Sequence, residues 1–230
     1  MKKLLVLGCG RSGNTLMQSL CAVGFENVYY TRGEKSPLKH KDLNQVPKEY
    51  SWAVFKCPSL VRRLHDALPE KDMNVIFMLR DPRGALISRK IREKTDRSSL
   101  VIGRDDLYTV RPGRWVDSSR YYWAYHKNIK ILQVKYEDLL TDPNSIQLRI
   151  GNRFGLQTRM PFTECYKHME GVIDKGNIDA MRGVRPIDAS MVDSWKKCSK
   201  EDTEYLRKCF DVYPEMVGWM KRYGYTYEKI

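Results

Sequence analysis

Leu4-Leu5-Val6-Leu7-Gly8-Cys9-Gly10-Arg11-Ser12-Gly13-Asn14-Thr15 is the stretch on which the fold turns. Its first four residues are a continuous apolar run of strand character. Leu16, Met17, Leu20 and Val23 then follow with helical spacing. A buried strand that breaks into glycines and restarts as a helix aims backbone N–H groups and a helix N-terminus at one point, which holds anions. The loop fits three phosphate-binding patterns. Gly8-x-Gly10-x-x-Gly13 matches the dinucleotide fingerprint, with Val28-Tyr29-Tyr30 as a second strand and Thr31-Arg32 where a 2′-phosphate would sit. Gly8-x4-Gly13-Asn14-Thr15 matches a P-loop in which asparagine replaces the lysine that serves the β- and γ-phosphates, which argues against a nucleoside triphosphate. Arg11-Ser12-Gly13-Asn14-Thr15 places a cation before the glycine, within reach of a 5′-phosphate and a group leaving it. The plain alternative is that the glycines only let the helix pack closely on the strand.

A second stretch separates these patterns. Val75-Ile76-Phe77-Met78-Leu79 is another apolar run of strand length, as expected in a parallel sheet buried on both faces. It runs into Arg80-Asp81-Pro82-Arg83 and a helical stretch containing Ala85, Leu86, Ser88 and Lys90. Asp81 is placed to cap that helix, with Pro82 at its first position. Arg80 then stands at a strand tip and Ser88 two turns into the helix, a guanidinium and a hydroxyl suited to a second, terminal phosphate. Ligands of open α/β sheets bind at the carboxyl ends of strands, so both sites fall on one rim. Taken singly, Arg80 reads as a rim salt bridge with Asp81 and Ser88 as a solvated hydroxyl.

These two motifs resemble those of the sulfotransferases that use 3′-phosphoadenosine 5′-phosphosulfate (PAPS). Arg11-Ser12-Gly13-Asn14-Thr15 is similar to that family's 5′-phosphosulfate loop, with Asn14 where a hydroxyl residue is usual; an amide still hydrogen-bonds phosphate. Leu79-Arg80-Asp81-Pro82-Arg83 with Ser88 resembles its 3′-phosphate motif. Val54-Phe55-Lys56-Cys57-Pro58, Val134-Lys135-Tyr136-Glu137-Asp138-Leu139 and Arg153-Phe154-Gly155-Leu156 resemble segments of bacterial members. Arg182-Gly183-Val184-Arg185-Pro186 and Ser194-Trp195-Lys196 resemble the C-terminal segment that folds over the cofactor.

The resemblance implies transfer of a sulfuryl group from PAPS to an acceptor hydroxyl by in-line displacement, leaving 3′-phosphoadenosine 5′-phosphate (PAP). Arg11, Ser12, Gly13, Asn14 and Thr15 would hold the 5′ end, and Arg80 and Ser88 the 3′-phosphate. Arg182, Arg185 and Lys196 would close over it, and Tyr136 would touch the nucleotide. Arginine keeps its proton at working pH, so Arg11 would stabilise charge and not act as the acid. Glu34, on the loop after the second strand, is similar in position to a loop glutamate that serves some members as base; His40 and His65 are the fallbacks. Glu34 reads equally as a solvated carboxylate beside Arg32 or Lys35. Lys56 would touch the sulfonate or only cover its strand end. Trp195 would stack on the adenine or anchor the last helix. A carbohydrate or lipid-linked alcohol is the implied acceptor.

Length and composition agree with one α/β domain. The 230 residues are enough for one well-cored unit and short for two. The expected fold is a P-loop-like three-layer α/β arrangement, a central parallel sheet flanked by helices, over residues 1–230. Strands are expected at 3–7, 28–31, 52–56, 74–79 and 129–135, and helices at 14–23, 59–67, 83–92, 114–126 and 145–154. Residues 155–230 read as mainly helical or irregular and covering the cofactor, with helices near 201–210 and 214–222. Residues 93–113 read as a long functional loop that shapes the acceptor pocket together with residues 32–50.

The net charge of +13 favours polyanionic partners, yet no nucleic-acid motif accompanies it. A cofactor with about four negative charges takes up part of the excess. The rival readings are an NADP-dependent oxidoreductase, built on Gly8, Gly10, Gly13 and Arg32, and a non-catalytic binder of polyanions or nucleic acid. The six cysteines lack Cys-x-x-Cys pairing or zinc spacing, so no metal is expected. Thiols in apolar segments point to a reducing, cytoplasmic setting. The N-terminal apolar run is shorter than the roughly 7–15 residues of a signal core, and no run reaches bilayer length.

Overall fold

The computed structural model describes residues 1–38, 44, 46–70, 72–88 and 110–228. Five strands, β1 (Lys2–Gly8), β2 (Val28–Tyr30), β3 (Trp52–Lys56), β4 (Met73–Leu79) and β5 (Ile131–Lys135), form one sheet in the order β2-β3-β1-β4-β5. Every pairing is parallel: Leu4 lies beside Val54 and Asn74, and Val75 beside Ile131. The alternation along β1 shows why the sheet carries helices on both sides. Leu5 and Leu7 pack with Phe55, Phe77, Trp115 and Leu206 on one face; Leu4 and Val6 pack with Val54, Ile76, Met17 and Ile150 on the other. Each of these β1 residues is fully buried, so neither face has a wet side. The expected α/β architecture is the observed one.

The helices α1 (Asn14–Gly24) and α6 (Pro143–Phe154) cover the second face. Helices α2 (Leu64–Ala67), α4 (Pro112–Tyr125), α8 (Lys200–Val212) and α9 (Glu215–Arg222) cover the first. The short helices α3 (Pro82–Leu86), α5 (Tyr136–Thr141) and α7 (Lys175–Ala180) border the sheet's carboxyl edge. Several boundaries differ from expectation. The stretch 59–67 is a 3₁₀ helix (Pro58–Arg63) running into α2. The expected helix 145–154 begins at Pro143, because Asp142 caps it by accepting from Ser145 N at 3.1 Å. The helix expected at 83–92 ends at Leu86; residues 89–92 lie outside the described residues. Ser88 therefore stands just past α3, where its N–H donates to Ala85 O at 3.3 Å, and not two turns into a helix. From β1 the chain passes to β2 and β3 on one side, then crosses to β4 on the other. A crevice opens where strand order reverses, above the carboxyl ends of β1 and β4.

Candidate active site

The glycine loop leaves β1 through a backbone shape that side chains would forbid. A Cβ on Gly8 (φ +149°) would lie 2.2 Å from Met78 O, so β1 and β4 approach this closely only because the residue is glycine. Gly13 is left-handed (φ +87°) at the start of α1, and its missing Cβ makes room for the Tyr136 ring. Arg11 is itself left-handed (φ 63°), an uncommon state for a side-chain-bearing residue. Asn14 does not turn its amide toward the crevice. Its Nδ2 donates to Cys9 O at 2.9 Å, stapling the loop, and leaves the backbone N–H groups of the first helical turn to meet an anion. The Ser12 hydroxyl is buried and does not line the crevice.

The crevice is a cavity of about 570 Å³ lined by Arg11, Gly13, Asn14, Thr15, Glu34, Lys56, Arg80, Ser88, Tyr136, Arg182 and Arg185, among others. Two loops 69 residues apart in sequence are joined directly: Arg80 Nη1 donates to Arg11 O at 2.9 Å. Arg11 Nε donates to Ser88 Oγ at 2.8 Å, and its Nη1 donates to Ala180 O at 3.5 Å. Burial, and then the neighbouring Arg182 and Arg80 guanidiniums, lower the Arg11 pKa. Among the described residues, neither Arg11 nor Arg80 has a carboxylate in ion-pair range. Converging cations that lack counter-charges fit an anionic ligand.

Arg80 is held on three sides. Its guanidinium lies over the Tyr136 ring at 4.5 Å, its carbonyl accepts from Trp115 Nε1 at 3.1 Å, and Gly84 leaves space beside its side chain. The rim salt bridge that Arg80 would have formed with Asp81 goes to Arg83 instead: Arg83 Nη2 meets Asp81 Oδ2 at 2.6 Å, with both side chains buried. Asp81 also caps α3 through Arg83 N at 2.8 Å. Trp195 lies on the Arg83 guanidinium at 3.7 Å and is off the cavity wall. Arg83 and Glu137 reach the C-terminal segment too, through Thr226 O (2.9 Å) and the Tyr225 hydroxyl (2.8 Å). Burial raises the Glu137 pKa.

Lys196 does not join this group. Its Nζ donates to Asp193 at 2.9 Å, one turn back in the 3₁₀ helix Ser194–Lys197, and the residue is exposed and off the cavity wall. Glu34 is exposed on the cavity rim. His65 sits on α2 with Asp66 at 3.0 Å, away from the cavity, and His40 lies outside the described residues, as do 93–109 of the expected acceptor loop. Arg32, the cation that the dinucleotide reading assigns to a 2′-phosphate, is not on the cavity wall.

Lys56 ends β3 in the cavity wall, 5% exposed. Its Nζ donates to Thr15 Oγ1 at 3.1 Å and to Asn177 Oδ1 at 2.7 Å. Burial lowers its pKa, partly offset by the Glu34 and Asp174 carboxylates. The residues on α7 escaped the sequence reading, although Asp174 three places before Asn177 is a helix-cap signal. Among the described residues, no group of three His, Cys, Asp or Glu side chains gathers as a metal site, and no helix is long and apolar enough to cross a membrane.

A family model described as "Sulfotransferase domain" matches residues 1–212. The chain belongs to that sulfotransferase family. Solved sulfotransferase structures share its fold. The sulfotransferase domain of the Synechococcus PCC 7002 olefin synthase superposes with a TM-score of 0.67 at 16% identity, over 99% of this chain and 96% of that one. The sulfotransferase domain from the curacin biosynthetic pathway gives 0.65 at 14%, over 99% of both. Retinol dehydratase in complex with androsterone and the inactive cofactor PAP gives 0.53 at 15%, over 94% and 81%. Among curated proteins, the penton protein of human adenovirus C serotype 5 is 25% identical over 199 residues. This sulfotransferase chain aligns over 83% of its own length with 30% of that protein, an identity too low to assign an activity.

Proposed function

We propose that this sulfotransferase takes its sulfuryl group from PAPS and passes it to an acceptor hydroxyl. The observation that carries the reading is the direct contact of the two phosphate motifs: Arg80 bonds to Arg11 O, and Arg11 bonds to Ser88. One cavity of about 570 Å³ thus carries the cations of both motifs in its wall, and ligand sites commonly span roughly 300–1,000 Å³. The retinol dehydratase structure of like fold contains PAP, which supports the same donor here.

In this reading Arg80 and Ser88 grip the 3′-phosphate, and Arg182 and Arg185, also in the cavity wall, close over it. Arg11, Thr15 and the N–H groups of residues 13–15 face the 5′-phosphosulfate, the Ser12 N–H being held by Cys9 O at 3.3 Å, and Tyr136 borders the nucleoside. The acceptor oxygen attacks sulfur in line as the bond from sulfur to the bridging oxygen breaks. Charge grows on that oxygen, and fixed donors aimed there lower the barrier. Arg11 stays protonated and stabilises this charge. Glu34, on the cavity rim, receives the acceptor's proton. A carbohydrate or lipid-linked alcohol is proposed as acceptor, on the resemblance of the Arg-Ser-Gly loop to bacterial members.

A ligand panel followed by thermal melting tests the reading. At 100 times its dissociation constant, a ligand of the native state adds about 2.7 kcal/mol. For a chain of this size that is a rise of roughly 5–10 °C. PAP and PAPS should produce it, and NADPH or ATP with magnesium should not. A response to NADPH alone would overturn the proposal.

A further inference from the structure

We infer that Asn177, locked by Asp174 and Tyr30, is a positioning residue that aims Lys56 at the sulfuryl end of the cavity when α7 is seated. The inference rests on the proposed donor site. Its starting point is an uneconomical feature: a lysine ammonium buried with two neutral partners. Burying a charge beside neutral groups is costly, and such groups gather where the charge has work to do.

Counting donors and acceptors fixes each orientation. An ammonium has three N–H bonds, and two are taken by Thr15 Oγ1 and Asn177 Oδ1. Lys56 lines the cavity, so the third is left for a ligand there. Thr15 accepts from Lys56, and its one hydroxyl proton is therefore free to donate into the same space, which Thr15 also lines. The pair presents two donors side by side.

The amide of Asn177 is held against flipping. Its Nδ2 donates to Asp174 Oδ2 at 3.1 Å and to the Tyr30 hydroxyl. Tyr30 in turn donates to Asp174 Oδ2 at 2.7 Å. The Asp174 carboxylate also accepts from Gly33 N at 3.3 Å and from Asn177 N at 3.0 Å. A carboxylate only accepts, so it demands the NH₂ side of the amide and leaves the oxygen for Lys56. The burial that acts against charge on Asp174 is outweighed by these bonds, first that from Tyr30, and its pKa falls below the ordinary value.

The network draws on five places in the chain: the first turn of α1, β2, the loop after β2, β3 and the start of α7. Helix α7 also supplies Ala180 O to Arg11, and the segment after it, through Ile187, forms cavity wall. Seating α7 therefore completes the Lys56 contacts and the Arg11 contacts together. A lysine left with Thr15 alone would be free to swing.

PAPS and PAP differ by the sulfuryl group, so the ratio of their affinities isolates that end. Calorimetry on the full chain should show Asn177→Ala lowering PAPS affinity about tenfold relative to PAP, with PAP itself within threefold of the parent. Asn177→Asp keeps an acceptor for Lys56 but sets a second carboxylate oxygen against Asp174 Oδ2, so the lock opens and the ratio should fall threefold or more. In a Lys56→Met background, Asn177→Ala should change the ratio less than twofold. The Lys56 side chain, followed by NMR of labelled lysine, faces Glu34, Asp174 and Tyr30. Its titration should move to lower pH in Asn177→Ala and to higher pH in Asn177→Asp. Equal losses of PAPS and PAP in Asn177→Ala would show a clamp that merely folds the site and overturn the inference. So would an unchanged ratio, or an undiminished effect without Lys56. A parent chain that binds neither ligand would instead overturn the donor assignment.

Discussion

Gly13→Ala should separate backbone strain from crowding at the crevice. Gly13 has φ +87°, and an added Cβ would lie 2.5 Å from Tyr136 Cδ2 and 3.0 Å from Cε2. Carbon atoms pack at about 3.5–4.0 Å, so the ring must retreat by roughly 1 Å. It cannot do so alone, because the Arg80 guanidinium rests on it at 4.5 Å. A left-handed alanine costs about 1–2 kcal/mol and overpacking about 1–3 kcal/mol, which together give roughly 2–5 kcal/mol. For a chain of this length the melting temperature should fall by roughly 4–20 °C. Gly155 supplies the control: it is also left-handed, at φ +74°, but nothing lies within 4 Å of its added Cβ. Gly155→Ala should cost only the first part, a fall of roughly 2–8 °C. Calorimetry should show PAP binding weakened tenfold or more in Gly13→Ala, through the displaced Arg80, and unchanged in Gly155→Ala. Equal thermal losses, or full PAP affinity in Gly13→Ala, would refute the claim that this glycine seats Tyr136 beneath Arg80.

Arg182 has the left-handed φ of 63° where helix ends favour glycine. Arg182→Gly should raise the melting temperature by a few degrees, worth about 1 kcal/mol, while weakening PAP; a variant that gains stability and keeps full affinity would remove Arg182 from the site. Arg83→Met strands the buried Asp81 carboxylate and should cost about 3–5 kcal/mol in a denaturant titration. Adding Asp81→Asn to that variant should recover part of the loss; no recovery would show that Arg83 acts by packing on Trp195. The folded Lys56 pKa lies below the ordinary 10.5, so its charge, and activity with it, should fail on the alkaline side at a lower pH than an exposed lysine would. The folded chain holds fewer protons there than the unfolded one, so stability should rise with pH across that window. Lys56→Met should abolish that rise.

The sheet was legible because β1 and β4 are unbroken apolar runs, each ending in a residue that needs a special place: Gly8 against Met78 O, and Arg80 beneath Trp115. Period and punctuation carry such elements. The pairing of Arg11 with Ser88 was approachable through the spacing of the two motifs, because both strand tips must lie on one rim. The network on α7 was not. Asp174 and Asn177 reach Tyr30 and Lys56 across more than a hundred residues, and local pattern has no access to contacts that distant. Trp195 misled for a related reason: an aromatic near a nucleotide motif reads as a stacking platform, and only the buried Arg83 reveals its partner. Lys196 carried the right charge, but Asp193 lies one turn back and takes it.

The most direct test compares PAP with adenosine 5′-monophosphate, which lacks the 3′-phosphate, in the parent and in Arg80→Ala. A hydrogen bond to a charged group is worth about 1.5–3 kcal/mol, so PAP should weaken roughly 10- to 150-fold in the variant. The monophosphate should weaken far less, by severalfold at most, because Arg80→Ala takes from its 5′ end only the bond to Arg11 O. Equal weakening of the two nucleotides, or no PAP binding by the parent, would contradict a single nucleotide clasped by Arg11 and Arg80.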